Sequence, residues 1–215
     1  MAGRADRRSW LARWSDVIPD WFRTYAGLEG LASHVVTYKP QLLHALVQTR
    51  EYSAGVTAPS ARVRPDQLER LVGLRMERQK RVLADDKPLQ LTAMFEESVL
   101  DRPIGGNRTV EVMRAQLRYL LELGKRDNVE ILVVPTSAGR HDGLEGQFTL
   151  LHFRNDDGSK QAQTIAFVEI PDDAVYVQDQ RQVDTYLRSA EQVRAAALSH
   201  AQSARLIKQR LAALD

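Results

Sequence analysis

The sequence predicts an α+β fold, in which a helical N-terminal layer precedes a mixed, roughly five-stranded sheet that helices cover. Two observations predict it. Apolar residues recur at helical spacing through residues 1–84, whereas from residue 85 onward strand-like segments with a two-residue period alternate with helical ones. We therefore divide the chain into a helical part, 1–84, and a sheet part with C-terminal helices, 85–215, packed together as one compact unit.

Four helices are expected in the first part. Aromatic residues at spacings of one or two helical turns indicate two short helices within the first forty residues, interrupted at Pro19. A third helix is predicted over residues 41–54 and a longer one over residues 65–83. The longer helix carries a cluster of basic residues, which we interpret as a solvated face rather than a nucleic-acid surface. Arg75 and Arg78 are expected to turn inward from it and pair with carboxylates.

The second part is expected to begin with a strand–helix–strand unit. Apolar and polar residues alternate over residues 89–95, helical spacing returns over 110–124, and a short apolar strand covers 129–134. The two strands should be parallel, with a right-handed crossover.

Three closely spaced strands and two helices complete the prediction. A turn-rich segment, 155–159, should join the first two of these strands. Ser199 and Gln202 form a plausible capping box between the two helices. The predicted strands are 147–153, 164–170 and 174–178, and the helices are 182–198 and 201–213.

Composition narrows the classes of function. The chain has 43% hydrophobic and 27% charged residues, and a formal net charge of +2 does not create a general field for nucleic acid. The absence of cysteine excludes disulfides, thiolate metal sites and cysteine nucleophiles. No apolar run approaches the roughly 18 residues that span a bilayer, and no secretory signal follows the N-terminal arginines. We expect a cytoplasmic protein with no membrane partner.

Common catalytic and cofactor motifs are missing from the sequence. The five histidines lack the His-Glu-x-x-His spacing of zinc enzymes. There is no Gly-x-Ser-x-Gly nucleophile elbow, and the three-glycine dinucleotide fingerprint is also absent. We therefore expect no metal and no cofactor.

One candidate site lies in the predicted third helix. Gln48 and Tyr52 are four residues apart and would share a helical face, and His44 one turn earlier would extend them into a polar stripe. Their polar groups either bind a ligand beneath the helix or satisfy neighbouring backbone groups. His44 is alternatively a surface residue.

A second candidate is the carboxylate of Glu97. Because successive strand residues face opposite sides, Phe95 and Glu97 should share the apolar face, so that Glu97 rather than Glu96 enters the protein. A buried carboxylate must be paired, hydrogen-bonded or neutral, and a pKa raised by burial would suit acid–base chemistry. The alternative is a structural ion pair with Arg75 or Arg78.

A third candidate combines His141 with Glu169. His141 lies in a glycine-spaced loop, 139–146, and Glu169 lies near the end of its strand. Glycines allow such a loop to approach a ligand closely or to fold as a lid, and histidine titrates near neutral pH. The alternative is an exposed loop histidine without a function.

Separated motifs from about Trp10 to Leu211 carry a family resemblance. The chain resembles the uncharacterised domain that follows an XRE-type helix-turn-helix in many actinobacterial transcriptional regulators, some of them antitoxin-like. Only nine residues precede the matching region, so we expect the helix-turn-helix to be absent. The motifs are Trp21-Phe22-Arg23, Gly27-Leu28-Glu29, Tyr38-Lys39-Pro40, Gln48-Thr49, Glu96-Glu97, Arg102-Pro103-Ile104-Gly105-Gly106, Gln147-Phe148-Thr149 and Val168-Glu169.

The resemblance implies a shared architecture and a shared pocket. The positions that match recurring family motifs are Tyr38, Gln48, Thr49, Tyr52, Glu97, Gly139, His141, Phe148 and Glu169. The chain departs from the family where a Pro-Gly pair precedes Leu-Leu-Gln-Thr, and this departure introduces His44. The expected ligand-binding residues are Tyr38, His44, Gln48, Tyr52, Phe148 and Glu169.

Two functions compete. In the first, the chain is a sensing or partner-binding module that binds a small molecule or a small partner protein, forms a homodimer and does not itself contact nucleic acid. If a helix-turn-helix precedes Met1 in the full protein, regulation of transcription becomes the leading function. In the second, the domain has become a cofactor-free enzyme of specialised metabolism, an isomerase, cyclase or lyase. Glu97 or His141 would then act as acid or base, and Tyr52 and Gln48 would orient the substrate.

Overall fold

The computed structural model describes residues 10–154 and 163–214. The helices are α1 (Asp20–Leu31), α2 (Arg50–Thr57), α3 (Leu68–Leu83), the short α4 (Ser98–Asp101), α5 (Thr109–Leu123), α6 (Gln180–Ala196) and α7 (His200–Ala212). The strands are β1 (His34–Lys39), β2 (Gln90–Glu96), β3 (Val129–Val134), β4 (Phe148–His152), β5 (Thr164–Ile170) and β6 (Asp173–Val177). The predicted α+β class is confirmed.

The strands form one mixed sheet in the order β3-β2-β1-β4-β5-β6. Strands β1, β2 and β3 are parallel to one another, whereas β4, β5 and β6 pair antiparallel. The predicted parallel pairing of β2 with β3 around α5 is therefore confirmed. The predicted turn at 155–159, between β4 and β5, lies outside the described residues.

The sheet has six strands rather than five because β1 lies in a segment predicted to be helical. Its sequence, His-Val-Val-Thr-Tyr-Lys, is rich in β-branched and aromatic residues, which favour strands. The helical aromatic spacing before it ends with α1, whose first residue follows Pro19. Strand β1 pairs with both β2 and β4, so the missed strand is central to the sheet.

The helix predicted over residues 41–54 is also wrong at its start. Helix α2 begins at Arg50, and a 3-10 turn at Ala45–Val47 precedes it. The side chain of Thr49 accepts a 3.2 Å hydrogen bond from the backbone N–H of Tyr52, which makes Thr49 the N-cap. Gln48 is extended, with φ −88° and ψ 144°. His44, Gln48 and Tyr52 therefore do not form a helical stripe.

Strand β2 is buried on both faces of the sheet. Leu91, Ala93 and Phe95 pack in the core cluster that includes residues of α5 and α7, whereas Met94 packs with Tyr38 in a second cluster toward α6. Parallel strands covered by helices on both sides are expected to be apolar throughout. Alternation along β2 therefore does not identify a single inward face.

The inward turn of Arg78 from α3 is confirmed. Its guanidinium donates hydrogen bonds of 2.7 and 2.8 Å to the carboxylate of Glu29 on α1, and both side chains are buried. Arg75 differs from the prediction, because it donates to Ser53 and to the Thr57 hydroxyl rather than to a carboxylate.

The C-terminal helices close the edge of β3. The predicted capping box of Ser199 and Gln202 is confirmed at the start of α7. Ser203 accepts from the N–H of Val133, and His200 accepts from the N–H of Ile131, so side chains satisfy backbone groups that an edge strand leaves open. In the described part of the chain, no helix combines the length and apolar character that crossing a bilayer requires.

Candidate functional site

A cavity of about 390 Å³ opens at the carboxyl ends of the parallel strands β1 and β2. Strand β1 has a parallel neighbour on one side and an antiparallel neighbour on the other. Such crevices beyond the carboxyl ends of parallel strands are common ligand sites. We call it the Glu96 cavity, and its walls are Tyr38, Pro40, Gln41, Glu96, Gly143, Leu144, Gly146 and Gln147.

Tyr38, Glu96 and His141 meet at this cavity. The Tyr38 hydroxyl donates a 2.5 Å hydrogen bond to Oε1 of Glu96, and Nε2 of His141 lies 3.4 Å from the same oxygen. His141 is only 5% exposed, so the alternative of an exposed loop histidine is wrong. The three side chains come from two strands and one loop. They are far apart in the sequence, so no helical or strand periodicity predicts that they meet.

The Tyr38 hydroxyl acts as a donor in this arrangement. Burial, and then the hydrogen bond to Glu96, raise the pKa of Tyr38 well above its ordinary value. The phenol therefore keeps its proton at neutral pH, and Glu96 is its acceptor.

His141 has an unsatisfied ring nitrogen. Its Nδ1 is one of the buried side-chain atoms without a hydrogen-bond partner among the described residues. If the Nε2 proton points toward Glu96, Nδ1 is a free acceptor, and such buried atoms are uncommon in native proteins.

Glycine at position 143 allows the loop to cover this cluster. A Cβ added at Gly143 would lie 2.7 Å from carbons of the Tyr38 ring and 2.9 Å from Nδ1 of His141. Gly139 and Gly146, at the two ends of the loop, have φ angles of 71° and 147°, which favour glycine. Because Gly143 has no side chain, the loop backbone can lie this close to Tyr38 and His141.

Glu169 and Phe148 flank the cavity. Lys39 donates hydrogen bonds of 2.9 Å to Glu169 and 3.0 Å to the side chain of Gln147, so Glu169 belongs to an ion pair beside the cavity wall. Phe148 is buried, and its ring centroid lies 5.9 Å from those of Tyr38 and Tyr186. Glu169 places an ion-paired carboxylate near the cavity, and the Phe148 ring packs against the Tyr38 ring.

Glu97 lies outside the cavity wall. It accepts a 2.6 Å hydrogen bond from Arg210 on α7 and a 3.0 Å bond from the N–H of Thr136. A structural ion pair of Glu97 was one expected alternative, and Glu97 does form one. The predicted partners, Arg75 or Arg78, are wrong, because the partner is Arg210. The backbone is already helical at Glu97, with φ −51° and ψ −38°, so strand alternation stops one residue earlier.

Glu96 is the carboxylate that the sequence analysis rejected in favour of Glu97. In the sequence, the adjacent pair Glu96-Glu97 indicates that a carboxylate lies at the end of this strand. Which of the two faces the cavity depends on the last residue of β2, which is Glu96.

His44, Gln48 and Tyr52 are buried but do not line the Glu96 cavity. Gln48 donates a 2.8 Å hydrogen bond to the carbonyl of Leu43, and the Tyr52 hydroxyl accepts a 3.4 Å bond from the Leu43 N–H. Nδ1 of His44 accepts from the N–H of Leu46. All three side chains therefore bond to neighbouring backbone, which was one of the two expected alternatives, although Oε1 of Gln48 is buried without a partner among the described residues.

A larger cavity of about 580 Å³ lies at the opposite end of β2, between α1 and α3. Its walls include several charged groups that pair with one another. Glu77 binds both Arg13 and Lys80, at 2.7 and 2.9 Å, and Glu29 binds Arg78. We favour the smaller cavity because Nδ1 of His141, a buried atom without a hydrogen-bond partner among the described residues, lies close to its wall at Gly143, and because Glu96 is part of that wall.

Metal ligands are not gathered at either cavity. Within residues 10–154 and 163–214, histidine, aspartate and glutamate form no group of three or more that could hold a metal ion. His34 on β1 and His152 on β4 stack with ring centroids 5.3 Å apart. His34 forms a hydrogen bond with the Thr92 hydroxyl, and His152 forms one with the Thr164 hydroxyl.

Comparison with known proteins identifies the family. No curated protein and no solved structure matches the chain. A family model described as "Domain of unknown function (DUF5753)" matches residues 22–209, a range that includes every residue of the Glu96 cavity. The chain therefore belongs to the DUF5753 family.

Proposed function

We propose that the chain is a ligand-sensing module of a transcriptional-regulator lineage, and that the Glu96 cavity is its sensing site in the cytoplasm. The observation that carries the proposal is the buried Nδ1 of His141, which has no hydrogen-bond partner among the described residues and lies close to the cavity wall at Gly143. A bound ligand would complete this polar cluster, because buried polar atoms are normally hydrogen-bonded.

A contact between the loop and helix α6 also supports sensing. Helix α6 contacts the loop through a 2.9 Å hydrogen bond from Ser189 to Asp142. A ligand that displaces the loop would therefore change the contacts of α6. We propose that this helix transmits binding to a partner, either a second copy of the chain or a small protein. The regulator lineage is supported by the sequence motifs, and no contact of this chain with nucleic acid is part of the proposal.

The test compares two neighbouring carboxylates. Purified wild-type protein, Glu96→Gln and Glu97→Gln are incubated with a metabolite extract of the source organism, and the protein-retained compounds are measured by mass spectrometry. Glu97→Gln is the matched control, because it makes the same chemical change one residue away, outside the cavity wall.

A compound retained unchanged at about one per chain by the wild type and by Glu97→Gln, but lost from Glu96→Gln, supports the proposal. Equal retention by all three proteins, or retention by none, contradicts the Glu96 cavity as the sensing site.

A second candidate function is a cofactor-free enzyme. The observation that favours it is the contact of one carboxylate with a tyrosine hydroxyl and its closeness to a histidine, three groups that can exchange protons. Glu96, rather than Glu97, would then be the acid or base beside His141. Consumption of an extract compound in large excess over protein, with a product that Glu96→Gln abolishes and Glu97→Gln preserves, would establish an isomerase, cyclase or lyase.

A further inference from the structure

We infer that the Glu96 cavity takes a small organic cation, such as a protonated amine, with the Glu96 carboxylate as its counter-charge. This inference rests on the proposed function and specifies the chemical class of its ligand.

The charge of the cavity wall is the first argument. Of the described residues that form the wall, Glu96 alone has an acidic side chain, and none has a basic one. The basic side chains near the loop and at the end of β1 are bound to other carboxylates. Lys39 is bound to Glu169, and Arg140 is bound to Glu145. The wall therefore presents one carboxylate and no basic side chain to a ligand.

The hydrogen bonding of Glu96 is the second argument. The Tyr38 hydroxyl donates to Oε1, and His141 Nε2 lies near that same oxygen, at 3.4 Å. Among the described residues, no hydrogen-bond donor contacts Oε2 of Glu96. A ligand ammonium group could donate to this oxygen without displacing Tyr38.

The partial burial of Glu96 favours a positively charged partner. Its side chain is 18% exposed, and its Oε2 is not among the buried side-chain atoms without a partner, so a ligand can reach it. A partly buried carboxylate is stabilised by a paired and hydrogen-bonded positive charge, and such charge-assisted bonds are among the stronger ones in proteins. A ligand anion would instead be repelled by Glu96, and a neutral ligand would bring no positive charge to it.

The remaining walls fit the alkyl part of an amine. Pro40, Leu144 and the ring of Tyr38 supply apolar surface, and Leu144 is 62% exposed on the loop. An alkyl chain that packs against Leu144 would remove part of this apolar surface from water.

The experiment uses three probes of matched shape that differ in charge: n-butylammonium, n-butanol and n-butyrate. Each is titrated into the 15N-labelled full chain, and NMR shifts of residues around the cavity give the dissociation constants. The titrations are repeated with Glu96→Gln and with the control Glu97→Gln, which makes the same chemical change outside the cavity wall.

We expect n-butylammonium to bind the wild type at least tenfold more tightly than n-butanol, with shifts centred on residues 141–147, and n-butyrate to bind more weakly than n-butanol. We expect Glu96→Gln to weaken butylammonium binding at least tenfold, and Glu97→Gln to stay within threefold of the wild type.

The cation inference is overturned if butylammonium binds no more tightly than butanol, or if Glu96→Gln keeps the wild-type affinity. Its failure is distinguishable from failure of the proposed function. An extract compound that is neutral or anionic, and that only Glu96→Gln fails to retain, would overturn the cation class and preserve the sensing site.

Discussion

The hydroxyl of Tyr38 on β1 donates a 2.5 Å hydrogen bond to the carboxylate of Glu96 at the end of β2. The parallel register, in which Tyr38 is opposite Met94, places Glu96 two residues further toward the carboxyl end of its strand. The bond therefore joins two neighbouring interior strands where the cavity opens, and both of its residues line the cavity.

Replacing Tyr38 by phenylalanine should reduce stability. The substitution removes a hydrogen bond to a charged acceptor, and we expect the free energy of unfolding to fall by about 1.5–3 kcal/mol in urea titrations. Tyr186→Phe is the control, because Tyr186 packs in the same cluster but is half-buried at its far side. A loss for Tyr38→Phe no larger than that of the control would show that the bond does not stabilise the fold.

Replacing Gly143 by alanine should disturb the loop. The new methyl group would meet the Tyr38 ring at 2.7 Å, and overpacking of this kind costs about 1–3 kcal/mol. Gly27→Ala is the matched control, since its Cβ would lie in helix α1 with its nearest neighbour 4.0 Å away. That change should stabilise the protein by about 0.5–1 kcal/mol because alanine favours helices. Thermal and urea unfolding would measure both, and equal effects at the two sites would contradict the close approach at Gly143.

The elements that sequence patterns predicted well are those whose pattern is local. The strands at 129–134 and 164–170 were predicted with their observed boundaries, and the capping box of Ser199 depends on residues three apart. Strand β1 was missed because its identity depends on pairing with β2 and β4, more than fifty residues away along the chain.

The candidate site was predicted in part for the same reason. Tyr38, His141 and Phe148 were identified through family motifs, and the structure places all three at or beside the cavity. The carboxylate was misassigned because strand alternation was extended to Glu97, whereas the backbone turns helical there. His44 and Gln48 were linked through a helix that begins only at Arg50. In each case a tertiary contact or an N-cap set an element boundary that apolar spacing does not encode.

The protein should lose stability as the pH falls from about 6.5 to about 4. Burial, and then the nearby charge of His152, lower the pKa of His34 to about 4, and burial also lowers the pKa of His152. In the unfolded chain a histidine has a pKa near 6.5. Between these values the unfolded chain binds a proton that folded His34 does not, so acid favours unfolding. Below about pH 4 both states are protonated, and His34 contributes no further loss.

Urea unfolding of wild type and His34→Gln at intervals between pH 7.5 and pH 4 would test this dependence. We expect the two proteins to converge in stability as the pH falls, because the variant lacks the His34 contribution to the slope. Parallel curves over the whole range would show that His34 is not the source of the acid sensitivity.

Removing the cation of the buried Arg78–Glu29 pair should destabilise the protein strongly. Among the described residues, Arg78→Met leaves the Glu29 carboxylate, only 4% exposed, with the Tyr25 hydroxyl as its donor, and we expect a loss of about 3–5 kcal/mol. Adding Glu29→Gln removes the uncompensated charge but keeps an acceptor for Tyr25. The double variant should therefore recover part of the lost stability.

An exposed pair provides the comparison for this double-mutant cycle. Arg50 and Glu69 form a 2.6 Å ion pair with side chains 52% and 73% exposed, so water screens their charges. Arg50→Met should change the free energy of unfolding by less than about 1 kcal/mol. Recovery on adding Glu29→Gln to Arg78→Met, together with a small effect at Arg50, would indicate that burial rather than ion pairing makes the Arg78 substitution costly. A double variant no more stable than Arg78→Met would instead assign the loss to the packing of Arg78 against the rings of Phe22 and Tyr25, whose centroids lie 5.0 and 5.5 Å from its guanidinium carbon.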